Sequence, residues 1–243
     1  MTMTPATDIP TVTEEILVLL LDDERGVPVP VPRSHMACVF AGAVLMDLAF
    51  VNRIDTDLES LMVIDRTPTG IFMLDHALAK IVARKETADT CAWIRVLSSE
   101  DAAMISEQAH IRLVERGILT LREGSFRAAF WRPRRVPARL ETEFAWPFGR
   151  RRYRESIGRI KLRIGNVLFS DDIPDPHEVA LIGLVSACNL FGEIYPDRDI
   201  GQFRTRIDQL SRMDLIGREL AGMITEIGHG VQKSLAGADS RTE

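Results

Sequence analysis

The chain has 243 residues, of which 46% are hydrophobic and 27% charged, and its 16 glycines and 12 prolines are ordinary for a globular protein. This composition excludes disordered, collagen-like and disulfide-framework classes, and Cys38, Cys91 and Cys188 are expected to be reduced core thiols because they are far apart without a CxxC spacing. The net charge of −5 hides a basic segment, residues 122–163, in which 13 basic residues face 4 acidic ones.

The N-terminal region predicts a short lead followed by a helix. Residues 1–10 are small, polar and contain proline, which predicts a disordered lead. Thr11 and Glu14 have the spacing of a capping box, so a helix is expected from there through about Leu21. Val27–Pro32 alternates with proline, which favours extended backbone over helix.

A strongly apolar helix comes next. Met36–Ala49 carries apolar residues on most sides at helical spacing, which is typical of a buried central helix. Asn52–Asp57 is expected to close it, Leu58–Ile64 to form a short strand and Thr67–Gly70 a turn. From Ile71 the apolar residues recur at spacings of 3 and 4, which predicts an amphipathic helix.

The second half of the chain is predicted to be mostly helical. Residues 88–97 and 102–116 have helical patterns, and Gly117 suits the left-handed position that ends the second helix. Ile118–Trp131 is predicted to be a β-hairpin with a glycine in its loop. Further helices are expected near 151–169, 176–192, 200–213 and 214–235.

These elements predict a mainly α fold class. We expect a single helical domain over residues 11–236, built around the buried central helix and decorated with small β-hairpins. Residues 237–243 are expected to be a disordered tail.

Apolar runs and motifs argue against several functional classes. The longest early apolar run, Ile16–Leu21, is far shorter than the roughly 20 residues that span a bilayer. It also follows two glutamates rather than a basic region, so the protein is expected in the cytoplasm. No nucleotide-binding, hydrolase or zinc-protease motif is present, and the five histidines lack metal-ligand spacing. We therefore expect a non-enzymatic protein with no catalytic residues, metal or cofactor.

Charge and aromatic rings coincide in residues 122–163, which hold seven of the 15 aromatic residues. Three interpretations stay open. The arginine stems can pack over apolar surface while the aromatic rings fill the core. Alternatively, rings at headgroup depth with guanidinium groups on phosphates form an interfacial membrane anchor. The third is nucleic-acid binding, because a helix followed by a hairpin, as at Leu48–Ile64 and Leu113–Trp131, is how a winged-helix unit is built.

Four segments, in order, resemble the Golgi phosphoprotein 3 family. They are Thr13–Gly26, Ala41–Ala49 followed by Arg53-Ile54, Pro68–Leu78 and Leu113–Leu119. The similarity continues loosely through Leu181–Leu190 and Arg204–Leu210, so it covers most of the chain.

The resemblance implies a mostly helical domain with a projecting β-hairpin, here Ile118–Trp131. It implies cytosolic, peripheral membrane binding through phosphatidylinositol 4-phosphate and, in eukaryotic members, an adaptor role that holds glycosyltransferases in the Golgi. The partners it implies for this chain are an anionic phospholipid surface, a membrane-protein client and a second copy bound through the hairpin. A nucleic-acid-binding protein remains the alternative function.

The chain departs from the family at the lipid headgroup pocket. Eukaryotic members use a tryptophan, one arginine on the central helix and two arginines on the helix before the hairpin. The corresponding residues here are Pro32, Ala41, Ala103 and Ser106. The arginine pocket is therefore absent as such, and the ratio of 26 Arg to 4 Lys is typical of a GC-rich bacterial genome, where other anionic lipids would be met.

Generic recognition of anionic phospholipid is therefore expected instead of the eukaryotic pocket. The predicted lipid-binding residues are Arg33, Arg112, Arg122, Arg127, Phe130, Trp131, Arg132, Arg134 and Arg135.

Overall fold

Helices dominate the architecture. The computed structural model describes residues 10–21, 29, 31–57, 60–84, 88–119, 150–170 and 173–223. Within these ranges the elements are α1 (Val12–Leu19), α2 (Arg33–Phe50), β1 (Ile54–Thr56), β2 (Leu61–Val63), α3 (Phe72–Ala83), α4 (Thr90–Glu100), α5 (Ala102–Glu115), α6 (Arg150–Phe169), α7 (Pro176–Ala187), α8 (Phe191–Ile194), a 3₁₀ helix (Ile200–Phe203) and α9 (Arg204–Ser211). Residues 215–223 are also helical. The mainly α prediction is confirmed.

The central helix of the fold is α2. Its residues are buried without interruption from Met36 to Leu48, and it packs against α1, α3, α4, α5 and α7. A helix that is apolar on all sides buries its surface only when other helices surround it, so the predicted central helix is confirmed. It is long and apolar enough to cross a membrane by length and composition, yet 72% of it is buried inside this domain, as in a core helix.

The start of α1 is held by its own capping box and by α2. Thr11 Oγ1 accepts a hydrogen bond from Glu14 N at 3.1 Å, and Glu14 Oε2 accepts one from Thr11 N at 2.8 Å, which confirms the predicted capping box. The carboxylate of Asp47, on α2, accepts from two amides, Val12 N at 2.7 Å and Thr13 N at 3.1 Å, and from the Thr13 hydroxyl at 2.6 Å. These bonds satisfy amides that a helix start leaves without intrahelical partners.

A two-stranded antiparallel sheet follows α2, with Ile54 opposite Val63. Leu61–Val63 of the predicted strand 58–64 forms β2, and residues 58–59 lie outside the described residues. The segment 52–57, predicted to close the central helix, contains β1, whose β-branched Ile54 and Thr56 favour a strand once β2 pairs with them.

The end of α5 matches the sequence expectation. Gly117 has φ +66°, Gly117 N donates to Val114 O at 2.8 Å and Ile118 N to Leu113 O at 2.8 Å. This is a left-handed glycine cap, as predicted.

Two predicted C-terminal helices are interrupted. The helix expected at 176–192 ends at Ala187, because Asn189 adopts φ +55°, and α8 begins only at Phe191. The helix expected at 200–213 is a 3₁₀ turn followed by α9. At Asn189 the left-handed conformation, which asparagine adopts more readily than most non-glycine residues, ends the α-helix.

The three cysteines form no disulfide; Cys38 and Cys188 are buried as predicted, whereas Cys91 is half-buried and not a core thiol. Burial raises the pKa of the Cys188 thiol to about 12, so this thiol is unreactive near neutral pH. The predicted lead through residue 9, the tail at 237–243 and the hairpin beyond Leu119 lie outside the described residues.

Candidate functional site

A cleft of about 800 Å³ lies between α1, α5, α6 and α7. Its volume falls in the range of small-molecule sites, roughly 300 to 1,000 Å³. The basic lining residues are Arg116, Arg152, Arg159, Arg163 and His177, the acidic ones are Glu14, Glu15, Glu155, Asp175 and Glu178, and the apolar ones include Val18, Leu113, Ile118, Ile160 and Leu162. The cleft therefore combines both charges with an apolar wall.

Glu14, in the first turn of α1, is fully buried. Its Oε2 accepts a hydrogen bond from Arg116 Nη1 at 3.2 Å. Arg112 Nε lies 3.2 Å from Glu14 Oε1, within ion-pair distance, but the N–H is not aligned for a hydrogen bond. A buried carboxylate without cations nearby lowers the stability of a protein by several kcal/mol. Arg112, in the last turn of α5, and Arg116, at its C-cap, compensate for the charge of Glu14 and so hold the end of α5 against α1.

Glu15 is tied to the other side of the cleft. Arg163, on α6, binds both carboxylate oxygens, at 2.8 and 3.0 Å, and His177 Nε2 lies 2.8 Å from Oε2. Burial by itself would raise the pKa of Glu15, but the hydrogen bonds and charges of His177 and Arg163 lower it overall. Burial likewise opposes the charge of Arg163, and the bonds to Glu15 raise its pKa. The pair therefore stays ionised and joins α1, α6 and α7.

Two arginines of the cleft are not engaged with carboxylates. Arg152 Nη1 donates to the Arg116 carbonyl at 3.3 Å, and Arg159 Nε donates to the Glu155 carbonyl at 3.2 Å. Both side chains are exposed, and neither forms an ion pair with a carboxylate of the described residues. Because they are seven residues apart on α6, they share one helix face, and both guanidinium charges are available to an anion.

The predicted lipid-binding residues fall into three groups. Arg33 is exposed at the first residue of α2, whereas Arg112 is half-buried and paired with Glu14. The structure therefore places these two arginines in different surroundings. The other seven lie outside the described residues: Arg122, Arg127, Phe130, Trp131, Arg132, Arg134 and Arg135.

Two of the four positions that the family resemblance relates to a headgroup pocket hold buried side chains. Ala41 is completely buried in α2, and Ser106 is also buried, with its hydroxyl donating to the Ala103 carbonyl at 3.0 Å. Pro32 precedes the first residue of α2. None of these four residues can supply a guanidinium group.

The predicted lipid-binding residues included neither the cleft arginines nor His177, although the sequence indicated the arginine cluster at Arg150–Arg154 as the next candidate. A signal was present in α6, where Arg152, Arg159 and Arg163 recur at spacings of 7 and 4 and therefore share a helix face. The acidic pair at the start of α1 gave no such signal, because solvated glutamates are common in a first helical turn. Among the described residues, no group of three His, Cys, Asp or Glu side chains is arranged to hold a metal ion.

The family model for Golgi phosphoprotein 3 (GPP34) matches residues 12–227. The chain belongs to the Golgi phosphoprotein 3 family. The match begins at the first residue of α1 and extends beyond the helical residues 215–223, so it includes every element that forms the cleft. The resemblance inferred from four sequence segments is thereby confirmed. No curated protein matches the sequence of this family member.

Proposed function

We propose that this member of the Golgi phosphoprotein 3 family is a non-enzymatic peripheral membrane protein that binds anionic phospholipid surfaces. The carrying observation is that exposed arginines of α6 lie beside the end of α5. Arg152 Nη1 bonds to the Arg116 carbonyl at 3.3 Å, and both Arg152 and Arg154 are exposed.

The composition of that region suits an anionic interface. Residues 120–149 contain six arginines, three glutamates and six aromatic residues, and residues 150–163 add seven basic residues against one glutamate. Each basic residue near an anionic leaflet contributes about 1 kcal/mol. Arg152 and Arg154 are exposed early in α6, so these two alone would raise affinity roughly 30-fold.

The finer assignment extends the same proposal. By family membership the lipid would be phosphatidylinositol 4-phosphate and the protein an adaptor for a membrane-protein client. Because the four family headgroup positions hold Pro32, Ala41, Ala103 and Ser106, we propose recognition of negative charge density rather than of one headgroup. The predicted hairpin Ile118–Trp131 would supply aromatic contacts with the headgroup layer.

Vesicle flotation tests the proposal. The variant Arg132→Glu/Arg134→Glu/Arg135→Glu is compared with Arg66→Glu/Arg204→Glu/Arg212→Glu, in which three exposed arginines outside the cleft undergo the same change of charge. Vesicles of phosphatidylcholine with and without phosphatidylglycerol are used at one salt concentration, because salt screens these interactions. We expect the first variant to lose flotation on anionic vesicles and the control to retain it.

Two results would contradict the proposal. Unchanged flotation of the first variant would remove the arginines after Trp131 from the interface. Tight binding of a DNA duplex in a mobility assay, without vesicle binding at matched salt, would favour the nucleic-acid alternative. Circular dichroism of both variants checks that helical content is preserved.

A further inference from the structure

We propose that the cleft between α1, α5, α6 and α7 binds one molecule of a phosphate-bearing amphiphile, with its phosphate on Arg152 and Arg159 and its hydrocarbon against Leu162. The inference deepens the proposed membrane function and rests on it for its biological setting. Unlike the proposed binding to a membrane surface, it concerns a site for a single molecule inside the described fold, at positions other than the four family headgroup positions.

The charges of the cleft are satisfied everywhere except on one face of α6. Arg116 is bound to Glu14, and Arg163 and His177 are bound to Glu15. Asp175 and Glu178 form the capping box of α7 and so already accept hydrogen bonds from its first turn. Arg152 and Arg159 have only backbone carbonyls as partners, which leaves two guanidinium charges beside a concave surface.

Those two arginines are placed to share an anion. They are separated by about two helical turns, roughly 10 Å along the α6 axis, and long side chains can span that distance from both sides. Glu155 lies between them along α6. Its side chain is exposed, so it can stay hydrated when an anion binds. A guanidinium group offers parallel donors that match two phosphate oxygens.

The wall beside these arginines is apolar. Leu162 is 65% exposed although it lines the cleft, and Val18, Leu113 and Ile160 are buried behind it. A small soluble phosphate would leave Leu162 in water. A ligand that carries a hydrocarbon chain next to its phosphate would cover both features, which is why the geometry favours a lipid-like molecule over a free phosphate ester.

Calorimetric titration of the full chain with monomeric ligands tests the site. The probes are dihexanoyl phosphatidic acid below its micelle concentration and glycerol 3-phosphate, which has the same phosphate ester without acyl chains. The variant Arg152→Gln/Arg159→Gln is compared with Arg66→Gln/Arg204→Gln, which removes the same charge from two exposed arginines that do not line the cleft.

We expect saturable one-to-one binding of dihexanoyl phosphatidic acid, weakened at least tenfold by the cleft variant and less than twofold by the control. Leu162→Ser should weaken it several-fold, whereas Met213→Ser, which alters an equally exposed residue outside the cleft, should not. Equal affinity for glycerol 3-phosphate would overturn the amphiphile assignment, and equal effects of the two double variants would overturn the site.

Folding and function can be separated in this test. If the cleft double variant unfolds because Arg152 loses its bond to the Arg116 carbonyl, Arg159→Gln alone carries the test, since Arg159 contacts only its own helix. If the unmutated protein floats with anionic vesicles but does not bind the probe, the cleft proposal is overturned and the membrane proposal stands. If it binds the probe but does not float, the membrane proposal is overturned and the cleft proposal stands.

Discussion

Replacing Gly117 by alanine should destabilise the protein by two separable effects. Gly117 has φ +66°, a conformation that costs a residue with a Cβ about 1–2 kcal/mol. A Cβ there would also lie 2.7 Å from Arg152 Nη1. The guanidinium group would have to move and lose its bond to the Arg116 carbonyl, which contributes about 1 kcal/mol. We expect a total loss of about 2–3 kcal/mol in the free energy of unfolding.

Gly70→Ala provides the matched control. Gly70 has φ +80°, but a Cβ there would meet nothing within 4 Å, so only the backbone effect remains. Urea unfolding of both variants should show Gly117→Ala to be more destabilising by about 1 kcal/mol. In an Arg152→Gln background that difference should disappear, because the displaced group is gone. Equal losses in the two glycine variants, or a difference that persists without Arg152, would refute the reasoning.

Three further predictions follow from the buried carboxylates and the headgroup positions. Burial, opposed by hydrogen bonds from Thr13 and Val12, raises the pKa of Asp47 from 3.8 to about 6. The folded state therefore binds a proton that the unfolded state has released, and the free energy of unfolding should fall by up to about 3 kcal/mol as pH rises from about 4 to about 6. Asp47→Asn should remove that slope in urea titrations at several pH values, and an unchanged slope would rule out Asp47 as its source. Glu15→Gln should cost about 2 kcal/mol, less than for a fully buried pair because the side chain of Arg163 is 38% exposed. Glu219→Gln removes a pair between exposed side chains 3.8 Å apart and should lower the free energy of unfolding by less than about 0.5 kcal/mol. If Glu15→Gln and Glu219→Gln lower it equally, the ion pair of Glu15 is no more stabilising than an exposed pair. Finally, titration with vesicles of equal charge should show less than tenfold preference for phosphatidylinositol 4-phosphate, and a larger preference would mean that another residue set forms a specific headgroup pocket.

Local patterns were sufficient for the elements whose structure depends on neighbouring residues. The capping box at Thr11 and Glu14, the apolar helix from Met36 and the glycine cap at Gly117 are all observed as predicted. Each depends on contacts within one helical turn or on an apolar pattern along one helix, and such contacts can be inferred from sequence spacing. The family, too, was evident from the order of four segments, and the match over residues 12–227 confirms it.

Elements that depend on distant partners were predicted less well. A hairpin was expected within Leu48–Ile64, but the residues of β1 were assigned to the segment that closes the central helix, because their strand depends on pairing with β2. The break between α7 and α8 depends on Asn189, whose left-handed conformation is only one of several open to asparagine. In both cases the local sequence is compatible with more than one structure, and packing selects one.

Sequence patterns alone identified the family, the mainly α class, the central helix and the concentration of arginine in the second half of the chain. Which arginines are paired with carboxylates and which are available depends on how the helices pack. Arg116 meets Glu14 across 102 residues, and His177 meets Glu15 across 162. Ion pairs between such distant residues follow from how the helices pack, because no sequence spacing encodes which charged side chains a shared cleft will bring within hydrogen-bond distance.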